Sequence, residues 1–233
     1  MEPTGFLASF LLKIGPVEIT PSVITTWFII LALAGISWGL TRGLSTMPSG
    51  YQVALESVVV GMKDAISAVL PNQVNLIFPF ISTLWIFILI ANLVGVVPGF
   101  SSPTADLSVT TSLAVLTFLS VHWFGIRTEG LKNYLRHYLK PSPLLLPFHL
   151  ISEISRTLAL AVRLFGNIMS LQLTAVLVLM IAGFFVPIPI LMLHIIEAIL
   201  QAYIFGMLAL IYIAGGIQAQ ELKKEKEEKG GLK

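Results

Sequence analysis

One residue constrains the chemistry of this chain more than any other. Arg163 stands midway along the apolar run 158–167, Leu-Ala-Leu-Ala-Val-Arg-Leu-Phe-Gly-Asn. Arginine does not practically deprotonate, so its charge is permanent. Inside a membrane such a charge costs about 2.5–3.5 kcal/mol on insertion scales. It therefore has to face water, a carboxylate, or both. On a helix, Asn167 and Ser170 fall at i+4 and i+7, and Ala159 and Arg156 at i−4 and i−7, making one stripe. Gly166 borders that stripe and permits another helix to come close. No acidic residue stands at i±3 or i±4, so the partner of Arg163 must come from outside its own helix. Snorkelling to the interface is the bland alternative, and the depth of Arg163 in the segment argues against it. For Arg156, nearer the helix end, the two readings stand level.

A second stripe lies thirty residues on. His194, Glu197 and Gln201 occupy i, i+3 and i+7 of one helical face, with Tyr212 further along. All three hydrogen-bond, and His194 and Glu197 also titrate. Titratable groups within a span mark a proton or ion path. Interhelical hydrogen bonds that merely hold a bundle together would use the same residue types.

Other chemistries find no footing. The sequence has no phosphate-binding Gly-Lys-Ser/Thr loop, no HExxH and no recognisable nucleophile–base set. His122, His137 and His149 are scattered near helix ends or loops, and cysteine is absent, so neither a metal site nor thiol chemistry is expected. No cofactor is expected either. A net charge of +2 is too small to suggest nucleic acid as a partner.

The elements that must position these residues follow from hydropathy. Of the 233 residues, 56% are hydrophobic and 11% charged, with a mean hydropathy of +0.90. Soluble domains carry about a quarter charged residues. A soluble chain this apolar would expose large adhesive patches, whereas lipid solvates them. A crossing helix needs about 20 mostly apolar residues. Five stretches qualify: 23–40, 76–97, 107–126, 144–186 and 188–217. The last two exceed one perpendicular crossing, which implies tilt. Between the first two, residues 51–70 show helical spacing of apolar residues with Glu56, Lys63 and Asp64 elsewhere on the wheel, the pattern of an interfacial helix. The expected fold is thus an all-α integral membrane protein with five spanning helices and one interfacial helix. Residues 1–220 form a single polytopic membrane domain and 221–233 a charged tail that reads as a solvated, frayed helix end.

Basic residues set the orientation. Arg42 and Lys63, the cluster Arg127, Lys132, Arg136 and Lys140, and the tail lysines share one side of a five-crossing chain. The turns at 98–106 and 184–189 hold none. The C-terminus is expected in the cytoplasm and the N-terminus outside. Residues 1–14 hold only Lys13 and no small-residue cleavage site, so insertion through the chain's own spans is expected.

The motif Arg163-Leu-Phe-Gly-Asn167 strongly resembles subunit a of F-type ATP synthases. Asn92-Leu-Val-Gly-Val-Val-Pro98 followed by Pro103-Thr-Ala-Asp106-Leu-Ser-Val-Thr110 resembles the family's second block. His194 and Gln201-Ala-Tyr-Ile-Phe205 resemble its last. Three blocks in order, over much of the chain, are more specific than any one motif.

The resemblance implies two long tilted helices wrapped against a rotating ring of c subunits, with peripheral-stalk b subunits and membrane lipid as further partners, in a bacterial plasma membrane. It implies no nucleotide site in this chain. It places Arg163 opposite the ring's ion-carrying carboxylate, Asn167 beside it, and His194 and Gln201 along the aqueous access path. It implies ion transport through two half-channels, with the choice of H⁺ or Na⁺ resting on the ring's own residues. Two departures stand out. Gln172 occupies a position that is often acidic or histidine in the family, and Glu197 could supply the missing acid. Thr157 follows Arg156 where proline is common. The competing function is an autonomous secondary transporter or channel. That would need a substrate site within this chain, usually between internal repeats, and no repeat is present.

Overall fold

The computed structural model describes residues 12–14, 17–43, 50–97, 100, 102–130, 146–183, 186 and 188–230. Met1–Leu11, Pro98, the loop residues Lys132, Arg136, His137 and Lys140, and Lys233 lie outside these, as do the side chains of His149 and of the tail.

Among the described residues, five helices are long and apolar enough to cross a membrane. Helix α1, Pro21–Arg42, begins on a proline, whose missing N–H is no loss in a first turn. It ends with the Arg42 guanidinium 3.7 Å above the Trp38 ring. Helix α2, Gly50–Ser67, is the amphipathic segment, and α3 spans Val74–Val94. Helix α4, Leu107–Glu129, is capped by Asp106, whose Oδ1 accepts the Ser108 N–H at 2.9 Å. It stops at Gly130, whose φ of 83° is open to glycine without strain. Helix α5 covers Leu146–Ala182 and α6 covers Ile188–Gly230. At ~1.5 Å per residue, the 37 residues of α5 extend well beyond a ~30 Å hydrocarbon core, as the sequence implied. The all-α membrane architecture is therefore as expected.

One detail was not expected: Leu12–Ile14 (β1) and Val17–Ile19 (β2) form a small antiparallel ladder ahead of α1. The last helix continues past the apolar span, which ends at Ile217, through the charged residues as far as Gly230.

Helix α6 packs most heavily against α3. Ile77, Ile81, Leu84, Trp85 and Ile88 meet Ala202, Phe205, Ala209 and Ile213 in the buried core. Small residues on α6 allow this approach. At Gly206 any added Cβ would overlap the Trp85 indole. The same indole donates from Nε1 to the Tyr203 carbonyl at 3.3 Å and stacks on the Tyr203 ring.

Helix α4 packs on both α5 and α6. The apolar face of α2 is used only in part. Ile66, and Leu70 just beyond the helix, are buried, with Met62 and Ala65 packed beside them, whereas Leu55, Val58 and Val59 stay exposed. Only 11% of the apolar stretch of α5 is buried within the chain, against 50% for α6. One long helix is thus interior and the other presents an open surface.

Candidate functional site

The periodicity of α5 decides which residues turn inward. Leu160, Leu164 and Ile168 are buried, and the stripe carrying Arg163 lies along the edge of that face. Arg163 and Ser170 are exposed and Asn167 is half-buried. Among the described residues no carboxylate approaches Arg163 within 4 Å. A side chain at Gly166 would meet no atom of the described residues within 4 Å.

On α6 the order is reversed. His194 and Gln201 are each 1% exposed, while Glu197 is half-buried at the edge facing α5. The two stripes meet at Asn167. Its Nδ2 donates to Glu197 Oε1 at 2.9 Å and to Gln201 Oε1 at 3.1 Å. A primary amide has two N–H bonds, and both are used here. Charged, hydrogen-bonding and permanently cationic groups thus share one edge of the α5–α6 pair. The arrangement can bind, orient and exchange a small cation, or stabilise an anion brought to it.

His194 is buried against the backbone of Asn92 on α3, within electrostatic reach of Glu197. Asn92 anchors a second polar group that the spacing of residues on single helices did not reveal. The Thr104 hydroxyl donates to Asn92 Oδ1 at 2.6 Å, and Ser102 lies 2.6 Å from Thr104 Oγ1 and 2.7 Å from the Ala91 carbonyl, to which it donates. The Gln172 amide reaches the same region. A Cβ at Gly95 would sit 2.6 Å from Gln172 Nε2 and 2.9 Å from Ser102 Cβ. The buried nitrogens Asn92 Nδ2, Gln172 Nε2, His194 Nε2 and Gln201 Nε2 have no hydrogen-bond partner among the described residues. Buried polar nitrogens of this kind bind water where protein partners are lacking.

A family model described as "ATP synthase A chain" matches residues 23–214, a stretch that includes every residue of both stripes. "ATP synthase subunit a" of Legionella pneumophila (strain Paris) is 70% identical over 228 residues, covering 97% of this chain and 99% of the relative. "ATP synthase subunit a 2" of Pelobacter propionicus is 57% identical, with 94% and 96% of the two chains aligned. "ATP synthase subunit a 2" of a Bradyrhizobium strain is 42% identical, over 93% and 97%.

The chain belongs to the ATP synthase subunit a family. As a subunit a, it is a multi-pass membrane-sector component of an F-type ATP synthase, a complex of ATP synthesis and ion transport. Of the seven candidate residues, the structure joins Asn167, Glu197 and Gln201 directly. It sets His194 beside them, places Gln172 toward the α3 end, and leaves Arg163 and Ser170 on the open edge. The Ser170 hydroxyl makes no hydrogen bond to this group. Tyr212 stands apart, with the Arg156 guanidinium 5.4 Å from its ring centre.

The sequence reading overlooked two features of this subunit a. One is the hydrogen-bonded group of Asn92, Ser102 and Thr104, which the second block's motif contains in part without showing that its residues meet. The other is the approach of His122 Nε2 on α4 to Glu153 Oε2 on α5, at 3.4 Å. A titratable residue in each of two adjacent spans was the signal available for it.

Proposed function

We propose that this subunit a is the ion-translocating stator of its rotary synthase, carrying H⁺ through two aqueous half-channels that meet the c-ring on opposite sides. A ring carboxylate loses its proton to one half-channel while near Arg163. The guanidinium stabilises the anion and lowers its proton affinity. The carboxylate then takes up a proton from the other half-channel. A fixed positive charge between the two repels passing cations and blocks a direct leak. Each charge moved contributes about 2.3 kcal/mol per 100 mV, so several protons cooperate in one ATP.

The observation that carries this reading is the open edge of α5. A permanent cation sits there unpaired among the described residues, beside the vacant approach at Gly166, and one turn from the amide that binds Glu197 and Gln201. A transient partner from another subunit suits that edge better than a permanent salt bridge. The buried groups around Asn92, Gln172 and His194 are suited to the outer half-channel, since they lie at the turn joining α3 to α4. Peripheral-stalk b subunits and lipid are the partners for the exposed apolar faces of α1 and α2. The basic loop after α4 and the C-terminus face the cytoplasm of a bacterium, and the N-terminus lies outside. Residues beyond 220 form the solvated tail.

Reconstitution tests this reading. The purified chain alone in liposomes conducts no ions, whereas the complex with its ring pumps H⁺ on ATP addition. Selective conduction by the chain alone would instead indicate an autonomous transporter.

A further inference from the structure

His122 and Glu153 meet about one helical turn beyond Arg156, the N-terminal end of the first stripe. His122 lies eight residues before Gly130, which ends α4, and Glu153 lies seven residues after Leu146, which begins α5. Both side chains therefore sit about two helical turns in from the segment joining the two helices. Both are partly accessible, at 28% and 21% of the side chain. The ring of His122 is held against Phe118, with centroids 4.5 Å apart.

The hydrogen bond at Nδ1 fixes the tautomer of the neutral imidazole. His122 Nδ1 is 2.9 Å from the Phe118 backbone carbonyl. A carbonyl only accepts, so Nδ1 carries a hydrogen. In the neutral imidazole Nε2 then holds a lone pair, and that lone pair faces Glu153 Oε2 at 3.4 Å. Lone pair against carboxylate is repulsive. The contact becomes attractive once a single proton joins the pair, as imidazolium with carboxylate or as imidazole with carboxylic acid. The loaded pair has no net charge, and the empty pair carries one negative charge.

Resting on the ion-translocating reading above, we infer that His122 and Glu153 form a one-proton transfer station at the inner half-channel. A proton from cytoplasmic water adds to Nε2 or to the carboxylate. It leaves the pair to a water molecule leading toward the ring carboxylate, and the pair returns to its negative state. No other co-reactant is needed. The charged and titratable groups on the adjoining turns, among the described residues, are Arg127, Arg156 and Tyr212. Arg156 and Tyr212 face each other across α5 and α6. Arg156 lies on the turn between Glu153 and Arg163, where its fixed charge favours release of the proton. The Thr157 hydroxyl donates to the Glu153 carbonyl at 2.9 Å, holding the helix backbone at that turn. These two residues act by positioning.

The test uses the whole complex in inverted vesicles, where the medium contacts the cytoplasmic face. ATP-driven H⁺ pumping is recorded against medium pH for wild type, Glu153→Gln, His122→Gln and Glu153→Asp, alongside ATP hydrolysis and subunit content. The two Gln variants keep a hydrogen-bonding group but cannot share a proton. They pump several-fold more slowly and lose the wild-type dependence on medium pH, while Glu153→Asp retains that dependence. A purely structural tie would survive in the Gln variants with an unchanged profile. Wild-type rates and profile in assembled His122→Gln overturn the inference, and His122→Gln decides the matter if Glu153→Gln fails to assemble. An Arg163→Ala complex separates the two levels of the argument. If it stops pumping while His122→Gln is normal, only the transfer station falls. If it also pumps normally, the translocation reading falls with it.

Discussion

The side-chain amide of Asn167 lies 2.9 Å from Glu197 Oε1, across the α5–α6 interface and one helical turn beyond Arg163. Its second hydrogen is given to Gln201 Oε1 at 3.1 Å. One residue thereby fixes Glu197 and Gln201 of α6 relative to the arginine stripe. Such a bond contributes about 0.5–1.5 kcal/mol net, and about 1.5–3 kcal/mol where an acceptor is charged. Its larger effect is geometric, since it holds the Glu197 carboxylate at the edge that faces α5.

Asn167→Ala should weaken transport without preventing assembly. It removes both N–H donors and leaves two acceptors unpaired, a penalty of about 1–3 kcal/mol for each buried group. Because the groups are coupled, Asn167→Ala combined with Glu197→Ala should cost less than the sum of the single changes. Pumping rates for the four members of this cycle, normalised to subunit content, give the coupling directly. Additive losses would show that the bond has no functional role.

His194 and Glu197 should both matter for ion flux. His194 is buried between Asn92 and Glu197, so His194→Ala leaves a hole lined with polar groups, and Glu197→Gln keeps an oxygen acceptor while removing the charge. The double variant is expected to lose most ATP-driven pumping and to change its pH profile. An unaltered rate and profile would place the ion path elsewhere.

Gly206→Ala should impair packing of α6 on α3. The added Cβ collides with the rigid Trp85 indole, which is itself anchored to the Tyr203 carbonyl. Overpacking of this kind costs about 1–3 kcal/mol. Membrane levels of the subunit should fall, and Trp85→Leu, which makes room, should partly restore them. Equal levels of Gly206→Ala and wild type would contradict the packing described for this seam.

Cysteine labelling reports the orientation. Lys233→Cys should resist impermeant thiol reagents in intact cells, and Phe100→Cys should react. Ser102, in the same turn, is unsuitable as an outer probe. It is 2% exposed and bonded to Ala91 and Thr104. Reaction at position 233 with none at position 100 would invert the topology.

The helices were legible because hydropathy over ~20 residues is a local signal. Predicted and observed spans agree to within a few residues at most ends, and Asp106 and Gly130 mark the boundaries of α4 chemically as well. The Arg163–Asn167 and His194–Glu197–Gln201 stripes were legible because each lies on one helix, where spacing alone decides which residues are neighbours. Depth within the bundle was not. Nothing in the spacing of 194, 197 and 201 says that His194 and Gln201 turn inward while Glu197 reaches α5. That depends on the Ala198–Ala202–Phe205 face packing inside the bundle. Contacts between elements were hidden for the same reason. Asn92 and Thr104 are separated by a turn, and His122 and Glu153 by a 15-residue segment that lies outside the described residues. The first strands escaped notice because three-residue strands have no periodicity to read.

The central claim is that Arg163 is the fixed charge against which the rotating carboxylate is discharged. ATP synthesis in inverted vesicles carrying Arg163→Ala, measured with passive H⁺ flux and subunit content, tests it most directly. The complex should assemble and make no ATP, with passive flux raised because the barrier between the half-channels is gone. Arg163→Lys should also be severely impaired, since a compact ammonium does not reproduce the planar guanidinium. Wild-type ATP synthesis by a fully assembled Arg163→Ala complex would contradict the account.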